Sequence, residues 1–392
     1  MQKIVVKENS TRKIKLQFSL LQFTFWCSWC AFTSFSLLYF KSMGLSDTQI
    51  GFALSINILC GILGQLIWGF LCDRFRTIRK IFILANFMIG VIVLLFLIAK
   101  SPLFILSLMG LLGFAQIPQP AILDTWILKK MPGREQEYGS IRLWASIGFA
   151  LSALVFGRLI DRFGYPTMFI SALFFLVLSL ILSWMIPDIK EKITEREGLK
   201  KAYKELLTRK TYLFFICICF TIGLAARTTH TLLPLIIEKV NGHAGHLGLA
   251  LFITGIAEIP MLIASRKFGK RFKSLNLILL SCFFYLVQFI FLFLAKSPLL
   301  IFFAMIFQGL AFGNYLPSVR LFVYENAPKN LRTTTQTLTD GISSSLTGVI
   351  GSAVGGVIIQ NFGVHTMVII CIFLIASVII VLLLRACNKK NH

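Results

Sequence analysis

Long apolar runs recur along the whole chain, and they constrain its fold more than any other feature of the sequence. A helix needs about 20 consecutive apolar residues to cross about 30 Å of hydrocarbon, and runs of this kind fill most of the 392 residues. We predict spans at about 16–40, 50–72, 80–99, 102–128, 138–160, 165–187, 212–237, 247–265, 274–295, 298–324, 334–360 and 364–386. The predicted fold class is therefore an all-α membrane protein with twelve transmembrane helices.

The charged residues are too few for a soluble protein of this length. They make up 14% of the chain, whereas soluble proteins carry about a quarter. The first apolar run is also too long for a cleavable signal peptide, and it lacks a small-residue cleavage site. We therefore expect the lipid bilayer to be the principal partner of this surface.

The net charge of +23 could suggest that the protein binds nucleic acid, but the distribution of the basic residues argues against this. Thirty of the 39 Lys and Arg residues lie at the two termini and in alternate loops, and only six lie in the opposite loops. This asymmetry predicts that the basic loops and both termini are cytoplasmic, which requires an even number of spans. We expect a multi-pass protein of the plasma membrane.

The two halves of the chain repeat each other. The segment 99–103 (Ala-Lys-Ser-Pro-Leu) recurs at 295–299, an offset of 196 residues. Phe163-Gly164 recurs as Phe362-Gly363 at an offset of 199. Collinear matches at nearly one offset predict an N-terminal six-helix bundle, 1–187, a charged cytoplasmic linker, 188–210, and a C-terminal six-helix bundle, 211–392. Parallel repeats of this kind are typical of transporters.

The loop after the second span carries a motif that resembles the signature of the major facilitator superfamily. It reads Gly-Phe-Leu-Cys-Asp-Arg-Phe-Arg over residues 69–76, and Asp73 with Arg74 matches the acidic–basic core of that signature. Arg76 stands where the signature usually has Gly. The resemblance implies the major facilitator fold, with two pseudo-symmetric six-helix bundles. It also implies a cytoplasmic gate in which charges such as Asp73 and Arg74 pair across helix ends in one state and separate in another.

The fifth span resembles that of the phenylpropionate permease and lactose permease-like symporters. Its sequence over residues 137–148 carries Arg142, which follows Asp124 by 18 residues. In the resembling proteins an acidic residue and an arginine at this spacing together hold the substrate. The Trp that stacks on the sugar in the lactose permease-like pattern corresponds to Phe149 here, which argues against a sugar. Glu258 resembles an acidic residue common on the eighth span of the phenylpropionate permease-like group.

Six charged residues stand out inside predicted spans, where each costs about 2.5–3.5 kcal/mol on insertion scales. They are Asp124, Arg142, Arg227, Glu258, Arg320 and Asp340. Asp124 corresponds to Arg320 at an offset of 196, and Arg142 corresponds to Asp340 at an offset of 198. The signs are thus exchanged between the halves, and we infer ion pairs Asp124–Arg142 and Arg320–Asp340. These four residues either contact the substrate, form a cytoplasmic gate or pair structurally.

The other two intramembrane charges predict a proton site. Arg227 and Glu258 lie near the midplane, and Pro234 and Pro260 follow them and can kink their helices. Burial raises the pKa of a carboxyl group and a neighbouring Arg lowers it, so movement of Arg227 would switch Glu258 between holding and releasing a proton. His230, three residues from Arg227, can share that proton. The alternative is a static Arg227–Glu258 pair.

Other polar or aromatic side chains are weaker candidates, for which packing or helix–helix hydrogen bonding is an alternative. They are Trp26, Trp29, Asn57, Gln65, Gln116, Gln119, Gln308 and Asn314. Cys27 and Cys30 have the spacing of a redox or metal motif, but they lie in an apolar span, so we interpret them as packing residues. We predict no metal site.

The sequence favours a secondary active transporter that moves a small organic solute, with a carboxylate as a candidate, by proton-coupled symport and alternating access. Arg142, Arg227 and Arg320 suit a carboxylate. A proton-coupled drug or metabolite exporter is the alternative, although the fifth span lacks an adjacent Gly-Pro pair typical of such antiporters. A polytopic membrane enzyme or sensor is a different class, but no catalytic constellation or phosphate-binding loop supports it. We expect a non-enzymatic monomer that uses the proton gradient and no cofactor.

Overall fold

The computed structural model describes residues 2–131, 137–189, 210–327 and 332–388. Every regular element in these residues is a helix. The first half contains α1 (Gln2–Trp29), α2 (Ser36–Ser42), α3 (Asp47–Phe75), α4 (Arg79–Phe96), α5 (Pro102–Gln116), α6 (Gln119–Lys130), α7 (Tyr138–Phe163) and α8 (Pro166–Met185). The second half contains α9 (Lys210–Thr231), α10 (Leu233–Lys239), α11 (Ala244–Arg271), α12 (Ser274–Leu294), α13 (Pro298–Asn326), α14 (Arg332–Asp340) and α15 (Thr347–Asn388).

Ten stretches of the described residues are long and apolar enough to cross a membrane. The last of them, Leu338–Arg385, is interrupted at Gly363, whose φ of 82° is not helical, so this stretch supplies two crossings. α1 and α2 supply the remaining crossing, because the π-helical turn Cys30–Ser34 joins them. The twelve-helix membrane fold predicted from the apolar runs is therefore confirmed.

The repeat is visible in the backbone as well as in the residue types. α3 and α11 begin at Asp47 and Ala244, an offset of 197, and α5 and α13 begin at Pro102 and Pro298, an offset of 196. Both of the latter helices have Pro in the first turn, where its missing N–H costs no hydrogen bond. The two copies therefore share their helix starts.

The helix breaks repeat too. α1 and α2 are separated at Phe35 (φ −107°, ψ −10°), and α9 and α10 are separated at Leu232 (φ −95°, ψ 10°), again 197 residues later. Gly164 and Gly363 have φ values of 80° and 82°, in the region that favours glycine. These breaks provide a register for comparing the halves residue by residue.

Contacts divide the chain into two compact units. The first unit comprises Met1–Leu45 with Ile56–Thr194, and the second comprises Ser46–Ser55 with Glu195–His392. Residues 46–55, which the sequence-based division places in the N-terminal bundle, thus pack with the second unit. Most of the predicted linker, residues 190–209, lies outside the described residues.

The two faces of the helices differ as expected for a membrane protein. The core of the first unit contains large rings with no more than 2% of their surface exposed, among them Phe18, Phe25, Phe82 and Trp126. Outward-facing side chains are equally apolar, for example Leu66, which is 70% exposed. Such exposure is costly in water but is favourable against lipid.

Candidate functional site

A hydrogen-bonded chain in the first unit leads from α1 to Asp124 on α6. The Nε1–H of Trp26 donates to Gln22 Oε1 at 3.1 Å, and Gln22 Nε2 donates to Asp124 Oδ1 at 3.1 Å. Gln22 and Trp26 are one helical turn apart on α1, so their side chains lie on the same face. Gln22 is 1% exposed, whereas Asp124 is half-buried. Both ends of the Gln22 amide are therefore used to orient the carboxylate.

Two residues of α7 close this chain into a ring. The side chain of Tyr138 interacts electrostatically both with Asp124 and with Arg142, one turn further along α7. The Arg142 guanidinium lies 4.8 Å above the centroid of the Trp26 ring, a favourable cation–π geometry. The polar ring thus runs from Trp26 through Gln22, Asp124, Tyr138 and Arg142 back to Trp26.

The structure brings Asp124 and Arg142 together, but through Tyr138 rather than by direct contact. In the part of the chain that the structure describes, no carboxylate lies within the 4.0 Å that defines an ion pair with Arg142. The half-buried guanidinium is held instead by an aromatic face and a phenol. Asp124 interacts electrostatically with Arg142 without reaching ion-pair distance, so the guanidinium keeps donors that an anionic group can use.

Aromatic rings cluster around Trp26, the ring that contacts the guanidinium. The indoles of Trp26 and Trp29 lie 5.5 Å apart at an interplanar angle of 34°, and Phe149 of α7 approaches Trp26 edge-on at 6.2 Å. Phe25 packs edge-on against both indoles at 5.9 Å. Trp26, Trp29 and Phe149 are half-buried, so each keeps accessible surface. We call these three residues the aromatic platform.

The second unit gathers the other predicted site residues around Tyr285 of α12. Arg227 and Glu258 each interact electrostatically with Tyr285, and Arg227 also interacts with His230. Tyr285 is 2% exposed, Arg227 and Glu258 are half-buried and His230 is exposed. The proposed proton-coupling residues therefore share one neighbourhood, and Tyr285 is a member that the sequence did not reveal.

Glu258 lies where α11 and α13 cross at close range. A Cβ atom at Gly313 would lie 2.6 Å from the Glu258 carbonyl oxygen and 3.2 Å from its Cγ, and one at Gly309 would lie 2.9 Å from its backbone nitrogen. Only glycine permits this approach of the two helices. The backbone at Glu258 is thus fixed by the neighbouring helix.

The first unit has the reverse arrangement at the equivalent crossing. Gly61 corresponds to Glu258 at an offset of 197, and Ile117 corresponds to Gly313 at an offset of 196. A Cβ at Gly61 would clash with the Ile117 side chain. The small and the large residue have therefore exchanged helices between the two halves.

Arg320 and Asp340 do not reproduce the ring of the first unit. Arg320 is exposed on α13, and Asp340 Oδ1 accepts a hydrogen bond at 2.9 Å from Gln336 Nε2, one turn earlier on α14. The structure shows no ion pair between these two described residues. The inferred Arg320–Asp340 pair is therefore not formed, because the carboxylate is engaged by its own helix just before the π-helical turn Gly341–Leu346.

The predicted gate residues lie at the end of α3. Asp73 and Arg74 are both exposed, and the Asp73 carbonyl accepts the Arg76 N–H at 3.2 Å. Arg76 has a φ of 51°, so it adopts the left-handed conformation for which the signature usually has Gly. A side chain in this region costs about 1–2 kcal/mol. The turn is therefore kept in spite of the substitution.

Asp188, which the sequence-based division places in the linker, is hydrogen-bonded to the loop between α3 and α4. Its Oδ1 accepts the backbone N–H groups of Ile78 (3.2 Å), Arg79 (3.1 Å) and Ile189 (2.8 Å), and its Oδ2 accepts the Thr77 hydroxyl. Burial alone would raise the pKa of Asp188, but these hydrogen bonds outweigh it and hold the pKa below the usual value. Asp188 acts as a cap for α4 supplied from the end of α8.

Residues 46–55 are attached to the second unit by polar and close contacts. Lys239 Nζ lies 3.5 Å from Asp47 Oδ2, and the Asp47 N–H donates to Gln360 Oε1 at 2.9 Å. A Cβ at Gly51 would lie 3.0 Å from the Gly356 Cα, so the backbones touch there. The sequence pattern contained no sign of this attachment, because its members lie in different helices.

Known proteins resemble this chain along most of its length. A family model described as MFS_1 like family matches residues 15–375. The uncharacterized transporter YwbF of Bacillus subtilis is 27% identical over 91% of this chain and 90% of its own length. The probable 3-phenylpropionic acid transporter of Escherichia coli K12 is 25% identical over 70% of this chain and 71% of its own length. A crystal structure of the nucleoside transporter NupG has a TM-score of 0.83 at 15% identity, covering 96% of this chain and 99% of that one.

Proposed function

Because the chain belongs to the MFS_1 like family of transporters, we propose that it carries a small organic acid across the membrane together with a proton. It is a membrane protein and not an enzyme, and it acts on a small-molecule substrate. The remaining assignments are part of the proposal: symport by alternating access, a plasma-membrane location with both termini cytoplasmic, a monomeric state and no cofactor beyond the proton gradient.

The observation that carries the proposal is the half-buried Arg142, which interacts electrostatically with Asp124 but has no carboxylate of the described residues within ion-pair distance. A guanidinium at membrane depth is expensive unless it is closely paired. A substrate carboxylate would come within that distance and accept two parallel hydrogen bonds. Asp124, Gln22 and Tyr138 orient the guanidinium and bound the space that a small acid would occupy.

The second unit supports the proton half of the proposal. Glu258 is half-buried near Tyr285, whose neighbour Arg227 carries a positive charge. Displacement of Arg227 would weaken the stabilisation of the ionised carboxyl, which would then take a proton. We assign Glu258 and His230 to proton coupling and Asp124 and Arg142 to substrate contact. For Arg227, Arg320 and Asp340, substrate contact stays a prediction from the sequence. Asp73 and Arg74 are assigned to the cytoplasmic gate.

Uptake into proteoliposomes tests the proposal. The full-length protein is reconstituted, and entry of a panel of radiolabelled monocarboxylates is followed with and without an inward proton gradient. We expect accumulation above the outside concentration only when the gradient is imposed. Efflux of the solute against the proton flow would instead identify an exporter, and entry that is indifferent to the gradient would exclude symport.

Asp124→Asn separates substrate contact from gating. If Asp124 holds the substrate, the variant loses equilibrium binding in detergent. A variant that binds normally but exchanges solute slowly would place Asp124 in a gate. Thr125→Ala, at the neighbouring exposed position of α6, is the matched control.

A further inference from the structure

We infer that the solute carries a flat aromatic or heteroaromatic ring, which stacks on the aromatic platform beside Arg142. The inference rests on the proposed function and narrows its substrate class. It assigns a role in ring recognition to Trp26, Trp29 and Phe149, which packing alone does not account for.

The platform faces a polar space and not lipid. Trp26 donates a hydrogen bond to Gln22, which in turn donates to Asp124, and the Arg142 guanidinium lies 4.8 Å from the Trp26 ring centroid. Two charges on a lipid-facing surface would each cost several kcal/mol, about 2.5–3.5 on insertion scales. The accessible surface of the rings therefore belongs to the space that a solute enters.

The geometry of the rings suits a planar guest. Trp26 is covered by the guanidinium, and its tilt of 34° to Trp29 leaves the two indoles partly offset. Phe149 meets Trp26 nearly at right angles. Offset and edge-on pairs are the arrangements that aromatic groups prefer, so a ring that joins this cluster finds faces and edges already arranged.

The repeat shows that the fold does not require these rings. The helix breaks at Phe35 and Leu232 set an offset of 197, which places Gly223 opposite Trp26 and Ala226 opposite Trp29. Arg142 and Asp340 set an offset of 198 for the next pair of helices, so Thr347 corresponds to Phe149.

The equivalent position in the second unit is filled by direct helix packing. A Cβ at Gly223 would lie 3.1 Å from Thr347 Oγ1 and would clash with the Ser343 carbonyl. The Trp26–Phe149 pair of the first unit thus corresponds to a Gly223–Thr347 contact with no room for a ring. At this position the same pair of helices packs without an aromatic ring in one half and holds a cluster of rings in the other, so the cluster meets a need other than folding.

A solute that carries both a ring and a carboxylate would contact both the aromatic platform and Arg142. The carboxylate binds Arg142, and the ring lies against the indoles within reach of the same cation. A saturated ring of equal size buries similar apolar area but lacks the π-face. The aromatic solute should therefore bind about two- to tenfold more tightly than its saturated analogue, the range measured for aromatic pairs beyond area burial.

The test compares matched ligands on the purified full-length protein in detergent, by titration calorimetry. The probes are 3-phenylpropionate, 3-cyclohexylpropionate and uridine, which offers a flat ring without a carboxylate. The variants are Trp29→Leu and Trp26→Phe, with Trp144→Leu as control. Trp144 lies on α7 near Phe23 and is 42% exposed, outside the platform.

The expected readout is the ratio of the two acid affinities. In the wild type and in Trp144→Leu the phenyl acid binds more tightly than the cyclohexyl acid, and in Trp29→Leu the ratio falls to about one. A substitution that only displaced Arg142 would weaken both acids equally and leave the ratio unchanged. Trp26→Phe keeps a ring and retains most of the preference.

The outcomes separate the inference from the proposed function. Equal binding of the two acids by the wild type, an unchanged ratio in Trp29→Leu, or failure of every ring-bearing probe to bind overturns the inference. Binding of uridine with the same loss in Trp29→Leu supports ring stacking and overturns the carboxylate assignment. Proton-driven uptake of an aliphatic acid, with no preference for rings, leaves the proposed function intact without the inference.

Discussion

The first and second units use the same helical frame for different purposes. In the first, the faces of α1 and α7 meet through Trp26, Phe149 and Arg142. In the second, the corresponding helices meet backbone to backbone at Gly223. Conversely, the second unit carries a carboxyl group, Glu258, where the first has only a glycine. Because the frames match, the differences mark residues that folding does not explain.

The comparison assigns solute recognition to the first unit and proton coupling to the second. The first unit provides a cation, hydrogen-bonding groups and rings, which are the elements of solute recognition. The second provides Glu258, Arg227 and Tyr285, which together can change protonation as one of them moves. The experiments below each remove one element of this division.

Loss of the Arg142 charge should have the largest effect. Arg142→Gln removes the cation that the solute carboxylate would meet, and we expect binding of an acid to weaken by about 30-fold or more, as for truncation of a buried charge pair. Calorimetry on the purified variant measures this. Arg158→Gln, an exposed position on the same helix, should bind as the wild type does. Equal losses in both variants would break the assignment of recognition to the first unit.

Removal of the titratable group from the second unit should affect coupling and not binding. In Glu258→Gln, a pH difference of one unit should no longer drive the roughly tenfold accumulation available to one coupled proton. Binding and exchange of labelled for unlabelled solute, which need no net proton movement, should persist. Proteoliposome uptake and exchange measure the two separately. Continued accumulation by this variant would show that the proton is carried elsewhere.

The exchanged glycines offer a structural test of the comparison. Gly313→Ile places a branched side chain against the backbone of Glu258, and we expect it to cost about 1–3 kcal/mol as an overpacked contact. Adding Glu258→Gly recreates the Gly61–Ile117 pair of the first unit and should restore part of this stability. Thermal unfolding in detergent is the measurement. Gly139→Ala, where a new Cβ meets nothing within 4 Å, is the control.

The double variant should be more heat-stable than Gly313→Ile alone, yet inactive in proton-driven accumulation. If the two variants unfold at the same temperature, the crossings are not interchangeable and the residue-by-residue comparison of the halves fails at this site.

The smallest effect concerns the cap supplied by Asp188. Its pKa is held below the usual value, so the ionised cap stabilises the fold at neutral pH, and that contribution is lost as the pH falls through the lowered pKa. Asp188→Ala should cost about 1 kcal/mol at pH 7. Unfolding temperatures of the two proteins should converge below about pH 4, where the unfolded carboxyl also takes up its proton. A constant difference across this range would mean that the cap does not depend on charge.

Most of the fold was predictable because hydropathy and the positive-inside asymmetry act over whole helices. The twelve crossings follow from those signals, and the family follows from the motif at 69–76. The π-helical turn at Cys30–Ser34 and the attachment of residues 46–55 to the second unit did not follow, because they depend on contacts between distant segments.

The candidate site was predictable only in its charges. Asp124 and Arg142 stand out in an apolar span, whereas Tyr138 and Gln22 do not, although each lies one helical turn from a residue that was identified. Scanning one turn on either side of an intramembrane charge or of a candidate aromatic residue would have found both. Asp188 provided no such signal, since an acidic residue in a charged linker is ordinary until its partners are known.

The exchange of large and small residues at the two helix crossings bears on how the two halves of the chain diverged. If the halves arose by duplication, their common ancestor carried one arrangement at both crossings, and at least two substitutions have since made the crossings differ. The nearest atom to a Cβ at 313 is the backbone carbonyl oxygen of residue 258, so this helix spacing requires glycine at 313 whatever side chain residue 258 carries. The close approach of the two helices is therefore independent of the glutamate. The acidic group at 258 has no part in setting the spacing of this crossing.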